Sequence, residues 1–244
     1  MPNNTPLRVV QWTTGNVGKS SVAAIARNPT LELVGCYAWS DDKVGRDVGE
    51  LARIAPLGVA ATNDVAALLS LKPDVVVYNP MWIDVDELVT ILSAGVNVVA
   101  TASFITGHNQ GAGRDKIADL GSWTIPAGCV AGVYASWKGI VGGVSRVEIN
   151  VRWRKGQTLE PDWQIEQDGW VIEVAGRPTV TMKVGFLPPA DFEATTLEEF
   201  MVLGHIMTAT PPLNAIPAVV AAPPGIVTYN DLPLILPRGV VPAG

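Results

Sequence analysis

The residues best equipped for chemistry cluster at the first turn of the chain, Trp12-Thr13-Thr14-Gly15-Asn16-Val17-Gly18-Lys19-Ser20-Ser21. A short apolar run (Leu7, Val9, Val10) feeds this turn, and a helical pattern (Val22, Ile25, Ala26) follows at once. That order sets the unpaired N–H groups of a helix start above a strand end, where the helix dipole favours an anion. Read as G-x-G-x-x-G, the turn has Thr13 at the first glycine, with Gly15 and Gly18 in register. Read as G-x-x-x-x-G-K-S, it has the same Thr13, followed by Gly18, Lys19 and Ser20 in register. The first pattern cradles a dinucleotide pyrophosphate and the second a nucleoside triphosphate.

Other reactive side chains are few. The two histidines are His108, in a glycine-rich loop over residues 105–111, and His205, on a helix of apolar spacing. His108 falls at the sheet end where open α/β folds bind ligands, and its imidazole could donate a proton during hydride transfer. A solvent-facing loop histidine is the alternative, and His205 reads as structural. Cys36 and Cys129 match no metal spacing and read as two buried thiols of a reducing cytoplasm. No Ser-His-Asp set and no metal-ligand cluster is suggested.

Composition narrows the classes. Only 16% of the 244 residues are charged and 48% are apolar, which excludes a disordered chain. A net charge of -6 without a basic block excludes a nucleic-acid partner, which requires a positive footprint. Residues 1–6 lack the build of a signal peptide, and no apolar run is long enough for a bilayer, so no membrane partner is expected.

The elements that position the turn can be read in order. Residues 32–39 form a second strand, 40–46 a polar loop, and 64–71 a helix capped by Asn63 or Asp64. Residues 74–78 form an apolar strand, 84–94 a helix with Val85, Leu88, Val89 and Leu92 on one face, and 96–101 a fifth strand. Apolar strands alternating with helices predict a parallel sheet covered on both sides. A magnesium-binding NTPase needs a carboxylate at a strand tip. The only candidates, Asp41 and Asp42, lie roughly twenty residues past the glycine turn, where a dinucleotide fold meets the adenosine ribose. The dinucleotide pattern is therefore favoured. Ser40, Lys43 and Arg46 suit a 2′-phosphate, opposed by Asp41 and Asp42, and they tip the expected cofactor to NADP(H), with NAD second.

Beyond Val130 the period becomes two. A strand over 133–141, a Gly142-Gly143 turn and a return strand follow, with Val147, Ile149, Val151 and Trp153 expected buried and Arg146, Arg152 and Arg154 wet. Further strands are expected from Trp163-Ile165, at 170–174 and at 180–186, with turns at Asp168-Gly169 and at 176–178. Thr195 or Thr196 caps a helix over 197–207 with Glu198 and Glu199 in its first turn. A polar loop from Thr208 then enters an apolar helix ending at Ala222, which Asn214 can cap and which could return to the cofactor, and a proline-rich tail follows.

The stretches VVQWTTGNVGKSSV, YAWSDDKVGRDVGEL, DVVVYNP, NVVATAS and LNAIPAVVAAPPGI together resemble the dihydrodipicolinate reductase-like superfamily. The resemblance is to the branch of 2,4-diaminopentanoate dehydrogenase and the native amine dehydrogenases of actinobacterial type. It implies an α/β N-terminal Rossmann domain (1–119) and an α+β C-terminal domain with an antiparallel sheet (120–244) for substrate and dimerisation. A segment at about 208–225 would return to the cofactor. It also implies nicotinamide-dependent reduction of C=N or oxidation of C–N bonds in a small amine, imine or carbonyl substrate. By the motif match, Thr14, Gly15, Asn16, Val17 and Gly18 would face the pyrophosphate, and Ser40 and Lys43 the adenosine ribose. Asn79 and Pro80 would lie beside the nicotinamide half, and Asn214 near the cofactor. Two departures stand out. Where the amine-oxidising branch has a carboxylate beyond the fifth strand, this chain has Ala102-Ser103-Phe104. Ser103 could hydrogen-bond a substrate but is no general base without an activating partner. Residues 113–119 also abut Leu120 directly, where relatives carry a further strand and helical stretch, so part of the substrate pocket would be missing. A dinucleotide-binding protein with little or no turnover is thus the alternative, and a P-loop nucleotidase the third reading.

Overall fold

The computed structural model describes residues 5–101, 110–112, 118–119, 124–126, 129–154, 161, 163, 169–186, 188 and 192–237. The elements run β1 (Leu7–Trp12), α1 (Asn16–Arg27), β2 (Leu31–Tyr37), α2 (Val48–Leu51), β3 (Ala61–Thr62), α3 (Val65–Ser70), β4 (Val75–Tyr78), α4 (Val85–Ser93) and β5 (Asn97–Ala100). They continue with β6 (Gln110–Ala112), β7 (Ala118–Asp119), β8 (Thr124–Ile125), β9 (Val130–Val141), β10 (Val144–Arg154), β11 (Trp170–Val174), β12 (Val180–Val184), α5 (Leu197–Phe200) and α6 (Val202–Ala221). The chain divides into two units, Met1–Phe104 with Met201–Gly244, and Ile105–Phe200.

In the first unit five parallel strands are ordered β3-β2-β1-β4-β5. Alternation along the strands sorts their side chains into two layers. Val9, Val75, Val77 and Val99 pack with Ile25 of α1 and Leu213 and Ile216 of α6. Val10, Trp12, Val76 and Tyr78 face the other way, against Leu68 of α3 and Ile91 of α4. Each such side chain contributes about 1.5–3 kcal/mol by leaving water, so the double-sided burial of β1 and β4 fixes the sheet. Asp64 and Asp84 cap α3 and α4, accepting from Ala67 N (2.9 Å) and from Asp86 N (3.0 Å).

The structure corrects several expectations. On α4, Ile91 faces the core, while Val85, Val89 and Leu92 are exposed and Leu88 is half-buried. Cys36 is buried but Cys129 is exposed. The helix expected over 197–207 is two, and the polar loop expected after it is helical, because α6 runs unbroken through Pro211, Pro212 and Pro217. Burial of Ala209, Leu213 and Ile216 outweighs the missing N–H groups there, while Thr208 and Thr210 hydroxyls bond the carbonyls of Gly204 and Ile206. Asn214 therefore sits within α6 and not at a helix start. The helix before it does start as expected, with Thr196 Oγ1 accepting from Glu199 N (3.2 Å) and Glu199 Oε2 accepting from Thr196 N (3.1 Å).

In the second unit β10, β9 and β6 form an antiparallel sheet, with β11–β12 and β7–β8 as separate pairs. Gly142 and Gly143 both take positive φ (59° and 76°), as a two-residue hairpin turn requires. Register places Trp137 opposite Ile149, Ala135 opposite Val151 and Val133 opposite Trp153 on one apolar face. That face was expected to be covered, yet Trp137, Ile149 and Trp153 are 57%, 55% and 54% exposed among the described residues. The opposite face carries the Lys138–Glu148 ion pair (3.7 Å) and Arg152 over the Tyr134 ring (5.5 Å). Trp163 lies outside any strand, and Ile165 and Asp168 lie outside the described residues.

A loop clamp completes the first unit. The Asp47 carboxylate accepts from the backbone N–H groups of Gly49 (2.7 Å), Glu50 (3.3 Å), Leu57 (3.0 Å) and Gly58 (2.8 Å). These bonds, that from Leu57 foremost, hold its carboxyl below the ordinary carboxylate range. A depressed folded pKa stabilises the fold above the unfolded value, roughly 3.9, and the contribution is lost as pH falls through the folded value. Asp47→Asn is expected to lower the melting temperature at neutral pH, with the gap from wild type narrowing in acid below the ordinary carboxylate range. A gap independent of pH in thermal melts would contradict this clamp.

Candidate functional site

The carboxyl ends of β1 and β4 meet where the strand order reverses, the switch point at which doubly wound sheets bind ligands. There the backbone leaves β1 through Thr13, whose φ of +74° is rare for a threonine. Thr13 N bonds Tyr37 O (3.0 Å), and its carbonyl accepts from Gln11 Nε2 (3.0 Å). Gln11, wholly buried next to the carboxyl end of β1, also donates to Trp12 O (3.1 Å) and Asn79 Oδ1 (2.8 Å). Asn79 follows β4, receives Ser21 Oγ (3.2 Å) and donates to Thr101 Oγ1 (2.9 Å). One buried polar chain thus ties β1, the turn, α1, β4 and the residue after β5.

Above this chain α1 begins at Gly15, which supplies no side-chain cap. The first internal bond is Lys19 N to Gly15 O (2.9 Å), so the amides before it have no helical acceptor. A Cβ on Gly15 would meet nothing within 4 Å, so the ground above it is open. A Cβ on Gly18 would stand 2.3 Å from the Thr13 carbonyl oxygen, so only glycine lets α1 approach the turn. Thr14 is 3% exposed, and its Oγ1 has no hydrogen-bond partner, nor does Gln11 Oε1. A buried hydroxyl without a partner costs about 1–3 kcal/mol, which a phosphate oxygen accepting from Thr14 would offset. The open glycine, free amides and orphaned hydroxyl fit a pyrophosphate.

Beneath the turn lies an aromatic shelf. The Trp12 ring stacks on Tyr37 at 4.4 Å, and Trp12 Nε1 and Tyr78 Oη both donate to Glu87 Oε2 (3.1 and 2.9 Å). Burial, helped by Glu87 and opposed by the bond to the Asp84 carbonyl, drives the Tyr78 hydroxyl up to about 12, so it remains a donor throughout the usable pH range. Burial likewise pushes the Cys36 thiol up to about 12 and makes it inert.

Of the residues expected at the site, Thr14, Gly15, Asn16, Val17, Gly18 and Asn79 come together around this crevice. Ser40, Lys43 and Arg46 occupy the loop after β2, where Ser40 Oγ donates to Asp42 Oδ1 and Asn63 Nδ2 to Asp41 Oδ1 (3.4 Å). Pro80 follows Asn79, and Asn214 is half-buried in α6. Ser103 and His108 lie outside the described residues. Gln11, Ser21 and Thr101 were missed. The signal for Gln11 was present: a glutamine inside an apolar strand is buried and must find partners. Among the described residues there is no group of three metal-ligating side chains and no helix long and apolar enough to cross a membrane.

Residues 119–241 match the family of the 2,4-diaminopentanoate dehydrogenase C-terminal domain. The chain belongs to that family. A stretch of 73 residues is 42% identical to an amine dehydrogenase of Streptomyces virginiae, covering 30% of this chain and 20% of that protein. Another, of 63 residues, is 41% identical to a 4-hydroxy-tetrahydrodipicolinate reductase of Synechococcus elongatus, covering 26% and 23%. The chain thus spans about a fifth to a quarter of the curated relatives it matches. The solved amine dehydrogenase of Mycobacterium smegmatis shares the fold, with a TM-score of 0.58 at 19% identity over 96% of this chain and 98% of its own. The parallel α/β sheet and separate antiparallel strands of this chain are the architecture that the strand patterns predicted.

Gly15 and Gly18 separate binding from folding. Gly18→Ala is expected to destabilise by about 1–3 kcal/mol or more, because backbone must move. Gly15→Ala is expected to cost at most about 1 kcal/mol while weakening dinucleotide binding. Denaturant midpoints and a binding titration read the two effects; equal destabilisation by both substitutions would contradict the assignment.

Proposed function

We propose that this chain is an NAD(P)H-dependent oxidoreductase acting on C=N and C–N bonds, reducing imines or oxidising small amines. The observation that carries the cofactor part is the buried, partnerless Thr14 hydroxyl beneath the open, uncapped start of α1. The family of residues 119–241 and the amine dehydrogenase and reductase relatives support the bond class. The nicotinamide would supply or accept the hydride. The chain's own part is positional: the amides of residues 14–18 hold the pyrophosphate, and Gln11 and Ser21 fix Asn79 beside the nicotinamide half. Asn214 of α6 and Pro80 are proposed to border the cofactor. His108 is proposed to hold the transferred proton and Ser103 to hydrogen-bond the substrate.

Ser40, Lys43 and Arg46 favour NADP(H) over NAD(H). A homodimer formed through the apolar face around Trp137, Ile149 and Trp153 would cover those rings, and sedimentation of the wild-type chain at a monomer mass would refute it. Free thiols at Cys36 and Cys129 support a reducing, cytoplasmic setting.

A second reading, dinucleotide binding with little turnover, is favoured by Ala102-Ser103-Phe104, which offers no carboxylate beyond β5. Titration with NADPH alongside an assay of its consumption with small ketones plus ammonia tests both. Binding with ketone- and ammonia-dependent consumption is expected. Binding without consumption across a broad panel would leave the second reading. Absence of binding would overturn both, and magnesium-dependent ATP binding would favour a nucleotidase.

A further inference from the structure

The parallel sheet ends in two edges that the chain treats differently. At β3 the loop after β2 closes the edge: Ala61 N donates to Arg46 O (2.9 Å), and Gly45 N donates to Ala61 O (2.8 Å). At β5 nothing does so among the described residues. Asn97 N and Thr101 N donate toward β4, to Asp74 O (3.3 Å) and Tyr78 O (3.2 Å). Alternate residues of a strand bond to opposite sides, so the N–H and C=O groups of Val98 and Ala100 point outward from the sheet. This edge carries none of the usual guards, since residues 96–100 hold no charge and no proline.

Beside the open edge lies an apolar flank of α4. Ile91 faces the sheet, in one cluster with Val76 and Tyr78 of β4 and with Val96 and Val98. Glu87 takes the Trp12 and Tyr78 donors, so the flank that carries it looks toward β1. At about 100° per residue, Val85, Val89 and Leu92 fall on the opposite flank, toward the β5 edge. They are 64%, 55% and 56% exposed. Their spacing of four and then three is that of a helix–helix seam, with no charged residue among them.

We propose that this chain self-associates through β5 and α4, with β5 pairing with β5 and α4 packing on α4 through Val85, Val89 and Leu92. A second copy supplies both missing partners at once. A twofold axis normal to the sheet sets β5 antiparallel to its copy, so the outward groups of Val98 and Ala100 in each chain find those of the other. The same axis keeps both α4 helices on one face of the joined sheet, with their apolar flanks opposed. Strands spaced about 4.8 Å set helices that cover β4 and β5 about 10 Å apart, a distance at which helices pack. No like charges meet across the axis. With β3 closed by its own loop and β5 paired, no edge is left, so sheet growth stops at two chains. This interface is separate from the apolar face around Trp137 and does not depend on what fills the crevice.

Wild type, Val89→Lys and Trp137→Lys are sedimented over a range of concentrations, and amide hydrogen exchange is followed at Val98 and Ala100. Val89 is exposed, so its substitution spares the core, and a thermal melt checks that the variant folds. The expected result is a wild type that associates, with the dissociation constant raised about tenfold or more in Val89→Lys. The Val98 and Ala100 amides, slow in associated wild type, should exchange freely in Val89→Lys and remain slow in Trp137→Lys. In a Cys129→Ser background, oxidation should trap a covalent dimer with at least one of Val85→Cys, Val89→Cys and Leu92→Cys, and none with Thr90→Cys on the other flank; if Val89→Lys fails to fold, this trapping decides. Wild type that stays monomeric overturns the interface, and slow Val98 and Ala100 amides in that monomer would mean that the chain covers its own edge. Association or amide protection unchanged in Val89→Lys also overturns it, whatever Trp137→Lys does.

Discussion

The carboxamide of Gln11 holds the first turn shut from below. Its Nε2 donates to the carbonyls of Trp12 and Thr13 and to Asn79 Oδ1, from a side chain with no exposed surface. Thr13 keeps its positive φ with that carbonyl bonded by Gln11 and facing Gly18, where any side chain would collide with it. The same carboxamide joins the tips of β1 and β4, the two strands between which the crevice opens. Remove this bond set, and the amides at the start of α1 lose their fixed height above the sheet.

Electrostatics extends outward from that turn in two directions. Toward β4 and α4, Glu87 collects the Trp12 and Tyr78 donors, so the acid is spent on an aromatic shelf. Toward β2 and α2, Asp47 is spent on backbone amides, leaving Lys19, Lys43, Arg46 and Arg53 without a salt bridge among the described residues. A chain of net charge -6 thus sets Lys19, with Lys43, Arg46 and Arg53 within electrostatic reach of it, near the uncapped start of α1. This separation of charge is what an anionic cofactor would complete.

Much of this architecture was legible in the residues. The apolar run before Gly15 gave β1, Asp64 and Asp84 announced their helices, and Gly142-Gly143 gave the hairpin. Local chemistry decides those features. What tertiary packing decides was not legible. The polar stretch from Thr208 read as a loop, yet Leu213 and Ile216 in the core keep it helical through three prolines. Residues 48–51 and 61–62 are too short to show a period, so α2 and β3 went unseen, and with them the position of Arg53. The alternation along β10 gave the strand correctly but misjudged its burial, because period marks a face without naming what covers it.

The central claim is that the backbone amides of residues 14–18 grip a diphosphate. Amide-resolved nuclear magnetic resonance on the labelled chain, with NADPH added to saturation, tests it most directly. The account predicts that the largest displacements fall on the Gly15, Asn16, Val17 and Gly18 N–H signals, moved downfield as they gain a charged acceptor. Saturation that leaves these four signals in place, with the displacements elsewhere, would contradict it.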